Sequence, residues 1–187
     1  GATFRYENFN GKIGASDIHG NLAYVASQPR PKLSGTLVSN QLLMADLAPL
    51  IGADSNAKQK ARGGMSKQPA TKVLPVEAFR TERWRDMDAD VEFTGKRIVH
   101  STDLPFTDLY THLVLTDGEL SLQPLRFGVA GGKLDAQIRL NGRVTPMEGR
   151  AKLTARNFKL KQLFPTFEPM KTSFGELNGD ADIAGRG

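Results

Sequence analysis

The sequence predicts a mainly β fold: a sheet of successive antiparallel hairpins with one apolar face, plus short helices at strand ends. The first observation is that apolar and polar side chains alternate from residue 109 to residue 140, which is the period of a β-strand. The second is that turn-forming pairs, Asp117-Gly118 and Gly131-Gly132, separate the alternating runs. The third is the abundance of glycine, 19 of 187 residues, which suits a protein rich in turns.

Composition indicates a folded domain and excludes some chemistry. Charged residues make up 24% of the chain, and the net charge of +5 is spread along the alternating runs, which favours solvated strand faces over a nucleic-acid site. Because cysteine is absent, no disulfide, thiolate nucleophile or cysteine metal site can form. No apolar run approaches the roughly 20 residues of a membrane-spanning helix. The first residues already alternate like a strand, so we interpret the chain as a fragment whose membrane anchor, if any, lies outside it.

Strands are predicted throughout the first 52 residues, which we treat as a first β-rich unit. Residues 3–9 and 33–39 alternate, and residues 13–27 are expected to form two short strands around His19-Gly20. Asn10-Gly11 is expected to be a turn. The segment after residue 39 has leucines at helical spacing and a possible glycine cap, so we expect a short helix there: Leu43, Leu47, Leu50 and Gly52.

Residues 53–72 form a predicted basic loop between this unit and a second one, residues 73–187, that continues the same sheet. The loop has almost no apolar content and several lysines. Contact with anionic lipid headgroups is one interpretation, and a solvated insertion is the favoured one. In the second unit, Pro75 opens a predicted helical segment, residues 87–93 and 150–156 are predicted strands, and residues 160–165 a further short helix.

An internal repeat links the two units. Residues 35–49 align with residues 151–165 at an offset of 116, so that Leu37 meets Leu153 and Leu42 meets Phe158. Repetition of a supersecondary unit favours an extended architecture over one closed globule.

The sequence offers little catalytic chemistry. His19, His100 and His112 lack partners at metal-ligand spacing. Asp86, Asp88 and Asp90 share one strand face, where a calcium site is conceivable and a solvated face is favoured. We therefore expect no enzyme activity and no cofactor.

Several stretches resemble the AsmA family of bacterial envelope proteins. The most specific is TDGELSLQPLRFGVAGGKLDAQIRLNGR, and SDIHGNLAYVASQPRPKLSGTLVSNQLLMADLAPLIG, LPVEAFRTERWRDMDADVEFTGKRI and GELNGDADIAGRG resemble further family blocks. The resemblance implies a curved sheet with an apolar groove, in the periplasmic part of a protein anchored in the inner membrane. It also implies phospholipid as the transported partner, and outer-membrane biogenesis and envelope integrity as the process served.

The apolar face admits two hypotheses. In the first, acyl chains cover it, since each buried CH₂ contributes about 0.8 kcal/mol. In the second, the chain is a structural or protein-interaction module that assists outer-membrane protein assembly, and its apolar face is a closed core. The lipid-facing candidates of the first hypothesis are Leu113, Leu115, Leu120, Leu122, Phe127, Leu134, Ala136, Ile138, Leu140 and Leu153.

Overall fold

The computed structural model describes residues 1–43, 46, 81–99, 106–159 and 175–186, and nine strands in them form one sheet. The strands lie side by side in chain order, and the substantial contacts join adjacent strands, so the described strands make a single layer. They are β1 (Thr3–Ile13), β2 (Ser16–Val25), β3 (Lys32–Leu43), β4 (Asp88–Val99), β5 (Phe106–Thr116), β6 (Glu119–Val129), β7 (Gly132–Asn141), β8 (Glu148–Lys159) and β9 (Glu176–Arg186).

The prediction of a mainly β fold is confirmed, but the prediction of antiparallel pairing throughout is wrong at one place. β3 and β4 run parallel, with Lys32 opposite Asp88 and Leu43 opposite Val99. Every other neighbouring pair is antiparallel. Parallel neighbours need a long connection, because the second strand starts at the opposite end of the sheet from where the first one stops. A pattern of local hairpins cannot reveal such a connection.

Short helices at strand ends are not confirmed. Among the described residues, a 3₁₀ helix spans Thr81–Arg85, precedes β4 and buries Trp84, and Asp46 is also helical. Residues 44–45, 47–80 and 160–174 lie outside the described residues, as do most of the segments for which helices were expected. The basic loop at 53–72 lies there too, so the division of the chain into two units stays a prediction.

Two turns expected in the first part of the chain lie inside strands instead. Asn10 and Gly11 belong to β1, and His19 and Gly20 belong to β2. The chain reverses at Gly14, which has a φ of 61°. Gly20 has a φ of 143°, and a Cβ there would lie 2.0 Å from the carbonyl oxygen of Thr36. Glycine at this position thus permits the close approach of β3, a role that a sequence pattern does not separate from turn formation.

Two hairpins predicted in the second part are confirmed, but the second turn lies one residue earlier than the predicted Gly131-Gly132 pair, because Gly132 already belongs to β7. Asp117 and Gly118 join β5 to β6, with φ values of 48° and 79°. Ala130 and Gly131 join β6 to β7, with φ values of 50° and 71°. Positive φ at both central residues gives a turn whose twist matches that of the flanking strands, so these two-residue loops set the register of their hairpins.

The internal repeat extends over three whole strands. At the offset of 116 residues, the bounds of β1, β2 and β3 coincide with those of β6, β7 and β8, and the strand lengths of 11, 10 and 12 residues agree. Leu42 and Phe158, which align in the two copies, are both buried. The strand that comes after each copy pairs differently, since β4 is parallel to β3 whereas β9 is antiparallel to β8.

The sheet has two ends, which we call the near rim and the far rim. At the near rim β1 begins and β9 ends, and Asp117 lies there between β5 and β6. At the far rim β3 ends and β8 ends. The packed core lies at the far rim, where buried Val129, Ala130 and Phe158 contact half-buried side chains.

The Asp17 carboxylate joins β2 to the end of β3. It accepts hydrogen bonds from the backbone N–H groups of Asn40 at 3.0 Å and Gln41 at 2.7 Å, and from the buried Ser39 hydroxyl at 3.3 Å. These bonds, foremost that from Asn40, lower the pKa of Asp17 to about 2. Since the bonds favour the charged form, they stabilise the fold only while the carboxylate is ionised.

We predict that Asp17 gives the fold a defined acid sensitivity. Its pKa is lower in the folded chain than the ordinary value of about 3.9, so its contribution is complete above about pH 4 and is lost as the pH falls toward about 2. The urea midpoint of the wild type should therefore fall more steeply over this range than that of Asp17→Asn. Equal slopes for the two proteins would contradict the assignment.

Candidate functional site: the apolar face

The register of the strands places apolar residues in continuous rows on one side of the sheet, which we call the apolar face. Residues directly opposite each other in paired strands project to the same side. With strands about 4.8 Å apart, a row across nine strands spans about 38 Å. The row that we call the central row contains Tyr6, Leu22, Gly35, Val91, Leu113, Leu122, Ile138, Ala151 and Ile183.

Two more complete rows flank the central row. In the row on the far-rim side, eight of the nine residues are apolar if Gly20 is counted as apolar. The exception is Thr111, whose hydroxyl donates a hydrogen bond to the carbonyl oxygen of Pro124 at 3.0 Å. The near-rim row is Phe4, Tyr24, Leu33, Ala89, Leu115, Leu120, Leu140, Gly149 and Gly185, and the far-rim row is Phe9, Gly20, Leu37, Phe93, Thr111, Leu125, Ala136, Leu153 and Ala181.

All ten candidate residues from the sequence lie on the apolar face, and β5 to β8 bring them together. Ala136 is buried, with 1% of its surface exposed, and the other nine are half-buried. Their side chains are thus neither sealed in a core nor fully solvated. Leu113, Leu122 and Ile138 belong to the central row, Leu115, Leu120 and Leu140 to the near-rim row, and Ala136 and Leu153 to the far-rim row, while Phe127 pairs with Leu134.

Sequence reasoning missed that the same face continues over β1 to β4 and β9. At the two edges of the sheet, simple counting by twos fails because register shifts interrupt the alternation, between Tyr6 and Phe9 where β1 pairs with β2 and between Ala155 and Phe158 where β8 pairs with β9. Asn8 and Asn157 have positive φ at these bulges. An asparagine inside an alternating run, where the pattern changes phase, is the signal that marks such a bulge.

Packing on the apolar face is uneven. At the far rim the rings of Phe106 and Phe127 meet edge to face, with centroids 5.4 Å apart, beside the buried Val129 and Phe158. At the edges of the sheet, large apolar side chains are exposed: Phe4 by 52%, Tyr6 by 58% and Ile183 by 53%. The face therefore has a packed far-rim end and rows whose ends are open to solvent.

The other side of the sheet, the polar face, is held by cross-strand ion pairs. Asp90 in β4 lies 2.7 Å from the His112 ring in β5, and Arg126 in β6 donates to Asp135 in β7 at 2.7 Å. The hydrogen bond that Tyr110 donates to Glu92 raises the pKa of the phenol. Because these pairs are partly exposed, each adds little to the free energy of unfolding, and their main effect is to favour the observed register of the strands.

A second group of charges surrounds the turn at the near rim. Arg30 lies 2.8 Å from Asp117 and 3.5 Å from Asp88, and Asp88 also accepts the backbone N–H of Asp117. Asp88 and Asp90, considered as possible calcium ligands, are thus engaged by Arg30 and His112. No group of three metal-ligating side chains occurs in the part of the chain that the structure describes. In that same part, no helix has the length and apolar character needed to cross a membrane.

Within the residues that the structure describes, these features define a class of protein: a single-layer β-sheet that is apolar on one face along its full width. Comparison with known proteins identifies the family, since the AsmA family model matches residues 2–187, and the chain belongs to the AsmA family. It is 50% identical over 193 residues to the AsmA family protein YhjG of Escherichia coli (strain K12). That match covers 100% of this chain and 28% of the relative's length. No solved structure matches the chain.

Family membership suggests a role in envelope biogenesis or lipid transport, because AsmA family proteins are envelope-associated. The chain spans little more than a quarter of the relative that it matches. The activity of a whole AsmA protein therefore extends to this chain only as a proposal.

We predict that truncating the two ends of the apolar face has unequal costs. Phe158→Ala removes a buried ring from the far-rim cluster and should lower the free energy of unfolding by about 3–5 kcal/mol. Ile138→Ala removes three carbons from a half-buried side chain and should cost about 1 kcal/mol. Urea denaturation of both variants measures the difference. Equal costs would mean that Ile138 is as enclosed as Phe158.

Proposed function

We propose that this chain is the periplasmic segment of an inner-membrane-anchored AsmA protein and that its apolar face binds acyl chains. In this role it would support phospholipid transport to the outer membrane and envelope integrity. The observation that carries the proposal is the set of rows that cross all nine strands with their ends exposed at Tyr6 and Ile183. An apolar strip that is continuous and open at its edges suits a flexible hydrocarbon chain.

The energetics of such a surface favour occupancy. Each CH₂ group that is fully removed from water contributes about 0.8 kcal/mol, so roughly 5 to 19 buried methylenes, the length range of an acyl chain, offset the cost of about 4–15 kcal/mol for ordering one bound molecule. Binding of this kind is passive solvation and needs no catalytic group. The anchor and the route to either membrane belong to parts of the protein beyond this chain.

The polar face supports the same proposal from the other side. Its ion pairs and exposed charges keep that face hydrated, so binding of acyl chains is limited to one side of the sheet. Gln137 and Ile138 are consecutive in β7 and project to opposite faces, which provides a matched pair of sites for an experiment.

We predict that a charge on the apolar face abolishes lipid binding and that the same charge on the polar face does not. The wild-type chain, Ile138→Asp and Gln137→Asp are purified and analysed by native mass spectrometry for bound phospholipid and by circular dichroism for folding. Ile138→Asp should stay folded but lose lipid, because its carboxylate faces the acyl chain. Gln137→Asp should retain lipid, because Gln137 is exposed on the opposite face, across from Lys152.

Two results would count against the proposal. Unfolding of Ile138→Asp alone would indicate that the apolar face is a closed core. A folded Ile138→Asp with unchanged lipid content would show that lipid does not follow the central row.

The alternative function is a structural or protein-interaction module that assists outer-membrane protein assembly. Among the described strands, β1 and β9 each have one edge without a neighbour, and Phe4 and Ile183 are exposed there. These edges favour this alternative, because free edge strands accept strands of other chains. A wild-type chain purified from membranes without any lipid would support it.

A further inference from the structure

One pair of arginines on the polar face is not explained by the pairing of the sheet. Arg139 in β7 and Arg150 in β8 occupy directly opposed positions. Their Cβ atoms are therefore about 4.5–5.5 Å apart, a spacing at which like charges destabilise an antiparallel pair. The next residues in the same row are Ser121 in β6 and Ala184 in β9, and neither carries a compensating charge.

Two carboxylates in the neighbouring row of the polar face, Glu119 and Glu148, are already engaged by other arginines. Glu119 lies 3.1 Å from Arg143, and Glu148 lies 2.6 Å from Arg186. Among the described residues, neither Arg139 nor Arg150 forms an ion pair or a side-chain hydrogen bond. Both arginines are exposed, so their guanidinium groups are available to a ligand from solvent.

An open pocket of about 530 Å³ lies over this pair, near the near rim. The salt bridge between Glu148 and Arg186 forms one side of it, and Glu119 lies at the other. The pocket is larger than a simple inorganic anion requires, so it has room for an anionic group that is attached to a larger molecule. Its lining residues are Glu119, Arg139, Asn141, Glu148, Gly149, Arg150, Ala184, Gly185 and Arg186.

The internal repeat shows that the sheet itself does not require arginine here. Arg139 and Arg150 align with Ala23 in β2 and Ser34 in β3, which pair with each other in the same way. The first copy of the repeat therefore forms the same strand pair with two small, uncharged residues. The arginines of the second copy are therefore not needed for strand pairing, and their mutual repulsion lowers the stability of the sheet. A bound anion would offset this repulsion.

We propose that Arg139 and Arg150 form the centre of a binding site for a phosphate group carried by a phosphoester. Each guanidinium donates two parallel hydrogen bonds, and a phosphate offers enough oxygens to accept from both groups, whereas one group alone saturates a carboxylate. The site lies on the face opposite the acyl-chain surface and does not depend on lipid binding there. A lipid headgroup and a soluble phosphate ester share the chemistry that it recognises.

The test replaces the pair by the residues of the first repeat, Arg139→Ala together with Arg150→Ser. Thermal melting is followed while inorganic phosphate replaces chloride at constant ionic strength. The melting temperature of the wild type should rise with phosphate, because only the folded chain presents the paired arginines. The double variant should lose this rise, and at low salt without phosphate it should melt no lower than the wild type, because the repulsion is gone.

A matched control keeps the test specific. The control variant is Lys152→Thr, which removes a neighbouring positive charge opposite Asp182. Threonine is chosen because Thr36 occupies the equivalent position in the first copy of the repeat. This variant should retain the phosphate response of the wild type. If the double variant does not fold, Arg139→Gln provides the same comparison with a side chain of similar length. Equal phosphate responses of the wild type and the arginine variants, or no response in the wild type, would overturn the proposal.

Vesicles identify the source of the phosphate. The wild type and the double variant are sedimented with vesicles of phosphatidylglycerol in phosphatidylcholine and with vesicles of phosphatidylcholine alone. Arginine-dependent binding to the vesicles assigns the site to a lipid headgroup. A response to inorganic phosphate without vesicle binding assigns it to a soluble phosphate ester.

Discussion

The whole structure depends on the register of its cross-strand hydrogen bonds. Side chains alternate along each strand, so a slip of one residue would move every apolar side chain of that strand to the polar face. Where the alternation of apolar and polar residues changes phase in the sequence, a β-bulge adds a residue to one strand and keeps the apolar side chains on the same face. At Asp108, whose φ is 52°, β5 changes phase, so that Phe106 and Leu109 both meet apolar residues of β4, Ile98 and Gly95. The continuity of the apolar face follows from this control of register.

The strands and turns of the second half of the sheet could be predicted from the sequence, because short-range features of the chain specify them. Asp117-Gly118 and the glycine after Ala130 fix two hairpins, and the alternation from Leu134 to Leu140 assigns the faces without structural help. The parallel pairing of β3 with β4 was not accessible, because it joins strands separated by a long stretch of chain. The turn at Gly14 was obscured by glycines that serve close strand approach, as Gly20 does. The apolar rows across nine strands could not be predicted either, because they depend on which residues of neighbouring strands lie opposite each other.

The two copies of the three-strand repeat share their apolar face and differ on their polar face. Tyr6 and Leu22 of the first copy correspond to Leu122 and Ile138 of the second, and all four lie in the central row. On the polar side, Ala23 and Ser34 give way to arginines. Constraint on one side and divergence on the other indicate that the apolar face has a role common to both copies, whereas the polar face has separate roles.

The parallel pair of β3 and β4, the one such pair among the described strands, also determines at which rim the first and the last of these strands lie. Nine strands that alternated throughout would begin at one rim and finish at the other. Because β3 and β4 share a direction, Thr3 and Arg186 both lie at the near rim, and β1 and β9 run in opposite directions. The unit therefore has the connectivity of a hairpin on a larger scale. Inserted between two antiparallel strands of a longer sheet, it would widen that sheet without reversing the direction of any strand on either side.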